Sequence, residues 1–155
     1  MHAVPRHKCK RSATEADDRP GVIERSLHFS VPVAAASVAA ARHEVTGQLG
    51  LWGLQGGAVA ETAVLAVSEL VTNIVRHAAS ARADVRIGLD ERHLTVSVHD
   101  RDPRIPRRAA VPHLDGSGGW GLHLVETLAA EAGGRTSIPR DADGGGKTVT
   151  VLLPL

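Results

Sequence analysis

Residues 69–78 read ELVTNIVRHA, and they lie within a longer segment, residues 58–79, whose periodicity decides how the chain is built. At 100° per residue, Val64, Val67, Leu70, Val71, Ile74 and Val75 fall into one wide apolar stripe. Glu69, Thr72, Asn73 and Arg76 fall on the opposite side, so the segment reads as a strongly amphipathic helix. Upstream, Ser26 to Val31 (SLHFSV) places Leu27, Phe29 and Val31 on one side, as a half-buried strand does. Pro32 then opens VAAASVAAARHEVTGQLG, an Ala-rich helix with Gly47 or Gly50 as its stop, and Gly53, Gly56 and Gly57 form the loop before the amphipathic helix.

Downstream, VRIGL (85–89) and LTVSV (94–98) alternate around a polar DERH and read as an antiparallel hairpin. The following loop, DRDPRIPRRAAVPHLDGSGG, is too rich in Pro and Gly for regular structure and longer than a connection needs to be, which points to function. Trp120 to Ala132 reads as a third helix ended by Gly133 and Gly134, Arg135 to Ile138 as a short strand, and Thr148 to Leu153 as the last strand. The order β-α-α-β-β-α-β-β groups strands and helices instead of alternating them. It predicts an α+β two-layer sandwich, a mixed or antiparallel sheet with three helices on one face, over a Rossmann fold.

Composition sets the limits. At 155 residues and 16.2 kDa, with 43% hydrophobic and 23% charged residues, the chain is the size and make-up of one globular domain. Aromatics are only 2% (Phe29, Trp52 and Trp120), which argues against an aromatic-stacking nucleic-acid surface, and a formal charge of +1 argues against a general nucleic-acid binder. The single Cys9 can form no internal disulfide and fits a reducing cytosol, and no apolar run reads as a signal peptide or membrane span. A cytoplasmic protein is expected. Residues 1–22 show no apolar period and are expected to be a disordered leader, so the domain is residues 23–155. His2, His7 and Cys9 read as part of that solvated tail in preference to a metal site.

Three groups of residues can carry chemistry. Glu69 and Asn73, four apart, are neighbours on a helix: the Asn oxygen is a hard ligand for magnesium, and the Glu can accept a proton. Asp100, at a strand end, is an acceptor-only carboxylate able to read the exocyclic amine of adenine, which predicts that GTP binds poorly. Arg101, Arg104, Arg107 and Arg108 around it read as solvated loop charges. The run GSGGWGL, Gly116 to Leu122, precedes a helix and can cradle a phosphate, although it lacks the Lys-Ser or Lys-Thr of a P-loop.

In the order ELVTNIVRHA, VSVHDRDPRIP, GSGGWGLHLVETLA and GGGKTVTVLLPL, these segments resemble the Bergerat-type, histidine-kinase-like ATP-binding fold. The resemblance is nearest to the anti-sigma-factor serine/threonine kinase branch in its small stand-alone actinobacterial form, and spans residues 24–155. It implies ATP and Mg2+ as cofactors, with Asn73 as the magnesium-holding Asn and Glu69 as the base for the attacking hydroxyl. Asp100 becomes the adenine reader, Gly116, Gly118, Gly119, Trp120, Gly121 and Leu122 the lid, Thr148 a residue near the adenine, and Arg76 and His77 groups near the phosphates. The implied partners are a sigma factor or an anti-sigma-factor antagonist protein offering a serine, with a homodimer left open. Two departures are visible: Asp102 stands where relatives often carry Gly, and EAGGRTSIPRDADGGG lacks a Trp-Gly.

Two rivals have discriminating features. RHEVTGQL around His43 looks like a phospho-acceptor box, but the 29 residues between His43 and Asn73 include five glycines and leave no room for a helical hairpin. An ATP-gated module that only sequesters its partner would need the same site residues as a kinase, and only phosphoryl transfer separates the two.

Overall fold

The computed structural model describes residues 21–106 and 121–155. The elements run β1 (Arg25–Pro32), α1 (Ala35–Leu51), α2 (Ala58–His77), β2 (Arg82–Leu89), β3 (His93–Asp100), α3 (Gly121–Glu131), β4 (Arg135–Ser137) and β5 (Lys147–Pro154). The strands form one sheet in the order β1-β2-β3-β5-β4. Every pairing is antiparallel, so of the two sheet types expected the mixed one is excluded.

Strict alternation gives the sheet one apolar face. Val85 and Ile87, Leu94, Val96 and Val98, and Val149, Val151 and Leu153 are all buried and share one core with the three helices. The other face carries Ser97 paired with Thr150 and His99 opposite Thr148. With almost no aromatic area available, the core is assembled from Val, Leu, Ile and Ala, and α2 contributes Ala60, Ala63 and Ala66 as well as Val67, Leu70, Val71 and Ile74. These alanines turn the buried arc of α2 towards the side that carries Asn73. Glu69 and Asn73 are therefore half-buried at its edge instead of standing opposite it, while Arg76 and His77 are exposed.

α1 buries a single row four residues apart, Ser37, Ala41, Val45 and Leu49. It runs through both Gly47 and Gly50 and stops at Gly53, whose φ of 79° is the left-handed conformation a helix exit requires. There the Leu54 N–H donates to the Leu49 carbonyl and the Gly53 N–H to the Gly50 carbonyl. α2 is long and apolar enough, by length and composition, to pass for a membrane span, which the sequence reading did not find, but its apolar side is buried in this core. Gly21 and Val22, assigned from sequence to the leader, are among the described residues, and the Gly21 N–H donates to Asp90 Oδ2 at 2.9 Å. His2, His7 and Cys9 lie outside them.

Candidate functional site

Where the C-terminal half of α2 passes over the ends of β3 and β5, the layers enclose a cavity of about 370 Å³. Its walls are Leu70, Asn73, Ile74 and His77 of α2, Ala78 behind them, Val98 and Asp100 of β3, and Lys147 and Val149 of β5. Leu122 of α3 and the segment after β3, Asp102, Arg104, Ile105 and Pro106, close it. The volume lies at the lower end of the range for small-molecule sites, and the mixture of mostly apolar walls with a few convergent polar groups is what such sites show.

The segment after β3 is tied down by carboxylates. Asp100 Oδ1 accepts the Asp102 N–H at 2.8 Å, which turns the chain sharply out of the strand. Asp102, 4% exposed, reaches back to α2: its Oδ2 accepts the Ala79 N–H at 2.8 Å, and Arg104 donates to both its oxygens. Arg104 also donates to the His77 carbonyl at 2.9 Å, so the end of α2 and the loop are fastened to one another. Arg104 thus serves as a clamp on Asp102, and Arg101 pairs with Asp141 and Asp143; both side chains are largely exposed, as expected of solvated loop charges, but each is held by carboxylate partners. Arg107 and Arg108 lie outside the described residues.

The Arg104 guanidinium, with the Ala79 and Arg104 backbone N–H groups, holds the Asp102 carboxyl well below the ordinary value of 3.8. A depressed folded value means that this carboxylate stabilises the fold fully above the unfolded value, and that its contribution is lost as the pH falls towards the folded one. We expect the denaturant midpoint of the wild type to fall between about pH 4 and pH 2. The Asp102→Asn variant should be less stable at pH 7 and show a flatter profile across that window. Denaturation curves at stepped pH check this, and parallel profiles would refute it.

Asp100 and Lys147 are register partners across β3 and β5, both facing the helices. Asp100 is 2% exposed and Lys147 5%, and the Lys147 Nζ donates to Asp100 Oδ1 at 3.0 Å and to the Asp102 carbonyl at 2.7 Å. Sequence reasoning missed Lys147, but the signal was present. Val149, Val151 and Leu153 face inwards, so period-2 alternation puts Lys147 on their face and Thr148 on the other. Thr148 accordingly lies opposite His99 on the outer side of the sheet and does not line the cavity.

Of the other site residues named from sequence, Asn73, His77, Asp100 and Leu122 come together at the cavity, and Arg76 does not line it. Glu69 is one helical turn before Asn73 and borders a second cavity, between α1 and α2. The first residue of α3 is pressed against it: a Cβ on Gly121 would overlap the Glu69 carboxylate as it is placed, so a larger residue there would require that side chain to turn aside. The start of α3, the N–H end of that helix, thus lies next to the Glu69–Asn73 side of α2. Gly116, Gly118, Gly119 and Trp120 lie outside the described residues. Among the described residues no group of three or more His, Cys, Asp or Glu gathers as a metal site. Asn73 could supply one oxygen to a magnesium ion whose other positions are filled by phosphate and water, a common arrangement for that ion.

Comparison with known proteins agrees with this architecture. The family model of the histidine kinase-like ATPase domain matches residues 31–153. Among solved structures, the histidine kinase domain of the blue-light activated histidine kinase EL346 from Erythrobacter litoralis superposes with a TM-score of 0.50 at 22% identity, covering 81% of this chain and 62% of that one. The blue-light activated kinase itself gives 0.47 at 24% identity, covering 81% and 42%. The histidine kinase AdeS of Acinetobacter baumannii gives 0.48 at 13%, covering 84% and 68%. This chain thus spans less than two thirds of either Erythrobacter chain. No curated protein matches it. Since the family model covers residues 31–153, most of the chain and all of the sheet-and-helix core from the end of β1 to β5, the chain belongs to the histidine kinase-like ATPase domain family.

Proposed function

We propose that this domain binds Mg-ATP in the cavity between α2, β3 and β5, and that it acts as a serine/threonine kinase of the anti-sigma-factor type towards an antagonist protein. The observation that carries the reading is the buried Asp100 at the end of an apolar cavity whose α2 wall carries Asn73. Ile74, Val98, Ile105 and Val149 suit the faces of a flat heterocycle, and Asp100 suits its amine. Asn73 would hold the magnesium, and the start of α3 would face the phosphates, where the positive end of a helix favours negative charge. In this reading Gly116, Gly118, Gly119 and Trp120 keep the lid role that the family resemblance gives them, and Glu69 takes the proton of the incoming hydroxyl.

Positioning and electrostatics would then supply most of the rate, as in other phosphoryl transfers. The partner, a sigma factor or its antagonist, a cytoplasmic setting and a homodimer belong to the same proposal. A second reading, an ATP-gated module that sequesters its partner without transfer, is favoured by the position of Glu69 outside the cavity lining. Incubation with labelled ATP and candidate antagonist domains decides between them. Phosphoserine or phosphothreonine on the antagonist supports the kinase, and ATP-dependent complex formation without transfer supports the module.

Asn73→Ala is expected to weaken ATP binding in the presence of magnesium by at least about tenfold, or 1.4 kcal/mol, and to leave affinity without magnesium unchanged. Asn73 lines the cavity and is not part of the apolar core, so its truncation enlarges the site without opening the core, and the melting temperature should hold. Calorimetric titration with and without magnesium, alongside a melt, checks both expectations. An unchanged affinity in magnesium would return Asn73 to a merely polar helix position.

A further inference from the structure

The cavity wall that follows β3, residues 102–106, reads DPRIP and contains no glycine, so side chains hold it in place. Its apolar part, Ile105 and Pro106, lines the cavity. Two attachments tie it to the rest of the domain. The first is the Asp102 carboxylate, whose Oδ2 accepts the Ala79 N–H at 2.8 Å and whose Oδ1 accepts the Arg104 N–H at 3.0 Å. The second is the Arg104 guanidinium, whose Nη2 donates to Asp102 Oδ2 and, at 2.9 Å, to the His77 carbonyl. That carbonyl belongs to the last turn of α2, where carbonyls lack an N–H of their own helix and a cation is favoured by the helix dipole.

The two attachments serve different ends. Without the Arg104 side chain the buried Asp102 carboxylate would still accept two backbone N–H groups, so the fold does not need the guanidinium to satisfy it. What only the guanidinium supplies is a link between the residue before Ile105 and His77, which stands one turn after Asn73 on the facing wall. Its side chain is 69% exposed, so it joins the two walls from the rim and not by filling the space between them.

We propose that Arg104 is a positioning residue of the nucleotide site: by joining the segment after β3 to the end of α2, it fixes Ile105 and Pro106 before the ligand arrives. This rests on the nucleotide reading of the cavity given above. A wall ordered in advance does not have to be ordered on binding, so loss of the clamp appears in affinity. Geometry matters here as well as charge. A planar guanidinium meets a carboxylate and a carbonyl at once, which the point charge of a lysine does not reproduce.

The test is calorimetry with Mg-ATP on the whole chain as wild type, Arg104→Ala and Arg104→Lys, with a melting curve for each and amide hydrogen exchange with and without the nucleotide. Arg104→Ala is expected to stay folded and to bind Mg-ATP about tenfold more weakly. In its free form the amides of Ala79, Arg104 and Ile105 should exchange faster than in the wild type, and saturation with Mg-ATP should protect them again. Arg104→Lys should melt like the wild type and still bind at least about threefold more weakly. An Arg104→Ala affinity within about twofold of the wild type overturns the proposal. So does weakened binding with unchanged exchange, which would make Arg104 a direct contact of the nucleotide. Full recovery of affinity in Arg104→Lys also overturns it, because charge would then be the whole effect. If Arg104→Ala does not fold, the lysine variant decides by its affinity and exchange. A folded wild type that binds no Mg-ATP sinks the nucleotide reading itself, whereas a wild type and variants that bind equally well sink the clamp alone.

Discussion

Replacing Asp100 with alanine is expected to lower the unfolding free energy by about 3 to 5 kcal/mol, the usual result of removing one partner of a buried ion pair. From sequence alone the same change is expected mainly to weaken ATP, because Asp100 reads as a free carboxylate at a strand end. The structure adds a reason for a large loss of stability: Lys147 is 5% exposed and would keep only the Asp102 carbonyl as a partner. The Asp102 N–H would lose its acceptor as well, loosening the turn that carries the cavity wall. Against a domain stability of roughly 5 to 15 kcal/mol the loss is a large fraction of the whole. Denaturant titration at pH 7 measures it, and the double variant Asp100→Ala/Lys147→Met should recover most of it, since no buried charge is then left uncompensated. A loss below about 1 kcal/mol would mean that the pair carries no more than an exposed one. The practical consequence is that the nucleotide affinity of Asp100→Ala has to be measured where the variant is fully folded.

The same pair marks the limit of what the sequence discloses. The element order and the hairpin from β2 to β3 follow from strong local signals, alternation in VRIGL and LTVSV and the 3.6-residue stripe of α2, and these depend on little beyond burial on one face. The stop of α1 is less legible, because Gly47 and Gly50 resemble stops but sit in a helix held by the row Ser37, Ala41, Val45 and Leu49. What ends it is the left-handed backbone at Gly53. Asn73 and Asp100 are recognisable as polar residues at suitable places. Their setting is not, because the alanines that turn α2 carry too little apolar signal to be counted from the pattern. Lys147 was legible by parity along β5, and it is overlooked because a lysine before a strand reads as a solvent-facing residue. Arg104 is beyond sequence reading, since its partners Asp102 and the His77 carbonyl meet only when the loop folds back on α2.

Glu69→Gln is expected to cut phosphoryl transfer to a partner hydroxyl by about 10²- to 10⁴-fold, the usual contribution of a positioned general base. The substitution keeps the shape of the side chain and its fit against Gly121, and removes only the capacity to take a proton. Glu69 does not line the cavity proposed for the nucleotide, so ATP affinity should stay within about twofold, the effect of 0.5 kcal/mol or less. Partner binding should survive because the amide keeps the size and shape of the side chain, and the measurement is therefore a single-turnover transfer rate beside two titrations. Position is what makes the experiment informative. Glu69 sits on α2 a helical turn from Asn73, against the start of α3, between the cavity at the end of β3 and the groove that separates α1 from α2. A base acting on an incoming hydroxyl belongs at such a border, with the nucleotide on one side and the partner on the other. A carboxylate that merely packs against Gly121 would give a variant with a normal transfer rate, and that result would remove Glu69 from the chemistry. If the wild type itself transfers nothing to any antagonist that it binds in the presence of ATP, the carboxylate has no proton to take. The domain is then an ATP-gated clamp on its partner, with Asn73, Asp100 and Lys147 keeping their places in the site and Glu69 serving only to seat α3.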